Sequence, residues 1–112
     1  MVWLLALIMV VHGLIHLMGG LSQLGLAKIP GLAGHTIVPL HAPLGDILGV
    51  AWLLAVPLFL VAAAALLTHH GWWRPLAVAA VVLSQILIVI WWPEARWGTV
   101  ANALVVVGAV LA

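Results

Sequence analysis

The chain has 112 residues, 68% of them hydrophobic and 4% charged, whereas a soluble globular domain carries about 25% charged residues; an ordinary soluble fold is excluded. Lys28, Arg74 and Arg96 against Asp46 and Glu94 leave a net charge of +1, so no basic face exists for a row of phosphates and no nucleic-acid partner is expected. The absence of cysteine removes disulfides, thiolate metal sites and thiol nucleophiles, and a mean hydropathy of +1.41 points to an integral membrane protein whose main partner is the lipid bilayer.

A spanning helix needs about 20 mostly apolar residues at about 1.5 Å rise each. The interruptions divide the sequence into four such segments, so the expected fold is all-α: an integral membrane four-helix bundle, a single transmembrane domain over residues 1–112. The first helix is expected over about residues 2–27, too long an apolar run for a signal-peptide core and followed by no small-residue cleavage pattern. From Lys28 to Gly45 come Pro30, Pro39, Pro43, Gly31, Gly34, His35 and His41, the composition of a long loop. Asp46 suits an N-cap or first turn, and a second helix is expected over about residues 46–68, with a kink at Pro57. Pro75 suits the first turn of a third helix over about residues 75–92, which Pro93 should stop. A fourth is expected over about residues 99–112; at about 21 Å it is shorter than a hydrocarbon core of about 30 Å. Trp3, Trp72 and Trp73 should mark one interface and Trp91, Trp92 and Trp97 the other. The few Lys and Arg residues are balanced across the two sides and set no orientation.

Ionisable groups at membrane depth cost about 2.5–3.5 kcal/mol on insertion scales, so each needs a reason. At about 100° per residue, His12, His16, Gly19 and Gln23 fall within a stripe about 60° wide, which should face protein. Gly13 and Gly20 flank it and let a neighbouring helix approach closely. The third helix offers Ser84 and Gln85, the fourth Asn102. Counted inward, Gln23 and Asn102 fall at roughly 6 Å depth, Gln85 at roughly 12 Å, His16 at roughly 16 Å and His12 at roughly 22 Å. His12, His16, Gln23, Gln85 and Asn102 are therefore the candidate ligand-binding residues of one polar column. Ser84, Gln85 and Asn102 also suit simple interhelical hydrogen bonding, and the histidines a neutral structural pair.

Histidines at i and i+4 reach a single metal, which makes His12 and His16 the candidate metal ligands, although two ligands fall short of the usual three or four. No glutamate lies between them, so the zinc-protease signature is absent. A bis-histidine haem needs ligands on opposite faces, hence a second copy or a partner subunit. The loop histidines His35, His41, His69 and His70 need no explanation beyond solvation, and Glu94 with Arg96 reads as an interfacial ion pair or two solvated charges.

The segments His12-Gly13-Leu14-Ile15-His16-Leu17-Met18-Gly19, Ser84-Gln85-Ile86-Leu87-Ile88-Val89 and Trp92-Pro93-Glu94-Ala95-Arg96-Trp97-Gly98-Thr99-Val100-Ala101-Asn102 resemble a group of small bacterial membrane proteins to which no activity is assigned. The resemblance spans most of the chain. It implies a four-helix module of the bacterial cytoplasmic (inner) membrane and supplies no function. The function expected from the residues is a small integral membrane protein, more simply a binding protein than an enzyme. Its polar column would bind a small ligand or ion or seat a partner subunit, in a homo-oligomer or larger membrane complex. The alternatives are a small proton-coupled transporter using the membrane histidines, and a redox subunit holding haem or a divalent metal.

Overall fold

A computed structural model describes residues 2–30, 32 and 35–111. The described residues are all-helical: α1 (Val2–Gln23), α2 (Leu44–Leu67), α3 (Trp73–Ile90), a single turn α4 (Trp92–Ala95) and α5 (Gly98–Leu111). Among them α1, α2 and α3 are long and apolar enough to cross a membrane, and α5 is a shorter apolar helix. The long axis of the molecule measures 41 Å, close to the about 40–45 Å of a bilayer with its headgroups.

Helix α1 closes earlier than the apolar run suggests. Gly25 takes a left-handed conformation, φ 72°; its N–H donates to Ser22 O and the Leu26 N–H to Leu21 O, the paired bonds of a Schellman cap. The run to Ala27 is apolar but no longer helical. The same pair of bonds closes α2, from His69 N–H to Leu66 O and His70 N–H to Ala65 O, with His69 at φ 60°. Helix α2 begins two residues before Asp46, which lies in its first turn and makes no capping bond. Pro93 does not end a helix but opens α4, because proline's missing N–H is harmless in a first turn; α3 has already closed at Ile90.

Helix α1 packs most extensively on α2, α2 on α3, and α5 covers α3 and α1. Small side chains permit this: Ala55, Ala62, Ala63, Ala77 and Ala80 are buried in the common core with Phe59, Met9 and Trp73. The outward faces are apolar, with Leu7, Val50, Val82 and Val107 all exposed. Trp3, Trp72, Trp92 and Trp97 are exposed near the ends, as aromatic belts require. Trp73 and Trp91 are not belt residues: both are buried in the core, Trp91 edge-on to Trp52 at 5.5 Å between ring centroids.

The described residues of the 24–43 connection fold back onto one end of the bundle. Ser22 Oγ donates to Leu32 O (3.2 Å), Ile37 N–H to Ile90 O (2.8 Å), and His35 N–H to the Glu94 carboxylate.

Candidate functional site

Three helices bring their polar residues together at mid-bundle. His12 and His16 stand one turn apart on α1, ring centroids 4.6 Å apart and edge to face. Both rest on the aromatic face of α2: Phe59 lies 5.1 Å from the His12 ring, and Trp52 lies 5.1 Å from the His16 ring. Gly13 makes this approach possible, since a Cβ there would stand 2.9 Å from Phe59 Cβ.

The hydrogen bonds fix where each proton sits. His16 Nδ1 is 2.7 Å from the His12 carbonyl oxygen, which only accepts, so Nδ1 carries the proton. In a neutral imidazole Nε2 is then an acceptor, and the Ser84 hydroxyl, 2.7 Å away, donates to it. With its one proton committed, Ser84 Oγ accepts from Asn102 Nδ2 at 3.0 Å. That orients the Asn102 amide, leaving Oδ1 to accept from His12 Nε2–H at 2.9 Å. His12, Asn102, Ser84 and His16 thus form a closed ring of hydrogen bonds, completed through the His12 backbone. Asn102 Nδ2 also donates to Gln85 Oε1 (3.1 Å) and Gln85 Nε2 to Thr99 Oγ1 (3.1 Å). A further proton on His16 would turn its Nε2 into a donor and leave the Ser84 hydrogen without an acceptor.

Of the expected column, His12, His16, Gln85 and Asn102 share one hydrogen-bond network, whereas His12, His16 and Gln23 line the cavity beside it and Gln85 and Asn102 do not. Gln23 instead ties the end of α1 to the first turn of α2, its Nε2–H donating to Gly45 O at 3.2 Å. Depth counted along a helix leaves out the direction in which the side chain points, and the end of α1 faces α2. The metal and haem expectations on His12 and His16 meet an obstacle in this arrangement. Both nitrogens of His16 and Nε2 of His12 already hold protein partners, and among the described residues no group of three or more His, Asp or Glu is placed to hold a metal. Ser84 and His16 have the spacing of a nucleophile and base, yet Ser84 has no exposed surface and stands outside the one cavity wall that His16 reaches.

That cavity, about 480 Å³, lies within the range of about 300–1,000 Å³ of small-molecule sites. It sits between the second half of α1 and the α4–α5 corner. Its inner wall is His12, His16 and Trp52, its far side Ile88, Trp91, Glu94 and Gly98, and Pro30 and Leu32 of the folded-back connection cover it. Ile15 and Met18 line it and are also exposed on the outer surface of α1, so the cavity opens sideways. Gly19 keeps the wall thin, since a Cβ there would stand 2.9 Å from the Trp52 ring. His12 Nδ1 has no protein partner among the described residues, where no wholly buried side-chain nitrogen or oxygen lacks one; Nδ1 is therefore reachable from the cavity.

Glu94 departs from the solvated charge or Arg96 ion pair expected of it. It is neither solvated nor paired with Arg96: its side chain is 6% exposed and its carboxylate lies 3.9 Å from His35 Nδ1, while Arg96 stacks on the Trp97 ring. No local signal announces this, because the burial comes from a connection 59 residues distant in sequence. No family model, curated protein or solved structure matches the chain.

Proposed function

We propose that this chain is a small multi-pass protein of the bacterial cytoplasmic membrane, with α5 as a fourth, short membrane-embedded helix, and that it binds a small lipophilic molecule in the cavity beside the histidine ring. The ring is the scaffold of the site: it satisfies the polar groups of α1, α3 and α5 internally and holds one wall rigid. The observation that carries the reading is a cavity of about 480 Å³ lined by Ile15 and Met18, which are also exposed on the outer surface of α1; in a bilayer that surface faces acyl chains and admits a molecule already dissolved there. A hydroxyl without access and imidazoles held in fixed hydrogen bonds favour binding over catalysis.

The test uses N-phenyl-1-naphthylamine, a neutral fluorescent probe, and energy transfer from the wall tryptophans in neutral maltoside micelles. The wild-type protein is expected to bind it saturably. Ala101→Phe, which places a ring in the cavity from a position lining it, should weaken binding at least about tenfold, a change of about 1.4 kcal/mol, with helix content unchanged. Equal binding by the two proteins would overturn the reading.

A further inference from the structure

We infer that the cavity takes a lipophilic phenol, its aromatic ring against the indoles and its hydroxyl donating to His12 Nδ1. The inference rests on the cavity being a ligand site and names the class of molecule that the site takes.

His12 is only 4% exposed, yet it lines the cavity. Its Nε2–H is committed to Asn102 Oδ1, so Nδ1 carries a lone pair and no proton, and among the described residues it has no protein partner. An acceptor so deep in an apolar wall selects a ligand that brings a proton to it. The inner half of the cavity offers no second acceptor: both nitrogens of His16 hold protein partners, and the indole nitrogens of Trp52 and Trp91, which share the lining, only donate. A hydroxyl fits this wall, since it gives one proton to the single acceptor and keeps its lone pairs for donors. An ammonium would bring three protons to that one acceptor, and an ether or a ketone would bring none. A phenol keeps its proton at pH 7, and its ring packs on indole faces and edges.

Gln23 and Ser22 line the same cavity at its other end. Gln23 lies about 16 Å along the axis of α1 from His12, too far for one hydroxyl to meet both. One Nε2–H of Gln23 goes to Gly45 O, and the rest of its amide can donate or accept, so it serves the far end of a ligand, or water, without choosing between classes. The Ser22 hydroxyl proton is committed to Leu32 O. Glu94 is bound to His35 of the covering connection, and the selection does not depend on it.

1-Naphthol, 1-methoxynaphthalene and 1-methylnaphthalene share one ring system, and the first alone donates. Each is titrated against the protein in neutral maltoside micelles by displacement of N-phenyl-1-naphthylamine, with empty micelles as the blank. On the wild type the naphthol is expected to bind at least about fivefold tighter than either of the others, as one neutral hydrogen bond to a buried acceptor gives. It should also move the His12 Nδ1 resonance in nitrogen-15 spectra toward the range of a protonated nitrogen, which the methyl ether cannot do. In His12→Phe, which removes the acceptor, the advantage should fall below about twofold; where that variant loses helix content, the nitrogen-15 comparison on the wild type decides. Saturable binding of all three with equal affinity would overturn the phenol inference alone. So would a naphthol advantage that Gln23→Leu removes and His12→Phe retains, because the proton would then go to the other end of the cavity. If the probe and all three competitors fail to bind the wild type saturably, the ligand site itself is refuted, and this inference with it.

Discussion

Asn102→Leu is expected to destabilise the folded state by about 2–4 kcal/mol, the largest effect of any single polar substitution in the chain. Asn102 bonds three members of the mid-bundle network, His12, Ser84 and Gln85. Its loss leaves the His12 Nε2–H with only the long contact to Ser84 Oγ at 3.4 Å, and a poorly met buried donor costs about 1–3 kcal/mol. Ser84 and Gln85 each lose a donor, and interhelical bonds of this kind average about 0.6 kcal/mol in membrane bundles. Thr99→Val removes a single neutral bond at the rim of the same network and should cost about 0.5–1 kcal/mol. Both values can be read from reversible unfolding in mixed micelles, followed by tryptophan fluorescence. A smaller effect for Asn102→Leu than for Thr99→Val would mean that the ring does not organise the core.

Gly13→Val should cost about 2–3 kcal/mol for a different reason. The added Cβ would stand 2.9 Å from Phe59 Cβ and 3.5 Å from Val56 O, positions that cannot yield without moving the α2 backbone, and overpacking of this kind typically costs about 1–3 kcal/mol. A β-branched side chain brings little helix propensity to offset it. Phe59 is also the surface on which His12 rests, so the same substitution should weaken probe binding in the cavity. Gly71→Ala is the control, since nothing lies within 4 Å of a Cβ there; it should be neutral within about 0.5 kcal/mol.

The periodicity of α1 was enough to place His12 and His16 on one buried face, because the angle between residues on a helix is fixed by geometry and a charged or polar group facing hydrocarbon is costly. Asn102 was legible for a similar reason: an isolated amide in an apolar helix must find a partner. What the sequence concealed depends on contacts between distant segments. The length of a hydrophobic run said nothing of Gly25 turning left-handed, and axial position said nothing of Trp73 and Trp91 pointing inward. Glu94 looked like a surface charge because the connection that buries it is written in prolines, glycines and histidines with no periodic signal. The cavity itself, a gap between helices that pack closely elsewhere, has no sequence signature.

The central arrangement is a closed ring that fixes His16 and leaves His12 Nδ1 open to the cavity. Nitrogen-15 spectra of histidine-labelled protein in bilayers, with the two rings assigned by single substitution, test it directly. His16 is expected to carry its proton on Nδ1 and His12 on Nε2; adding N-phenyl-1-naphthylamine should shift the His12 Nδ1 resonance and leave the His16 proton on Nδ1. A proton on His16 Nε2, or saturation by the ligand with His12 Nδ1 unmoved, would contradict it.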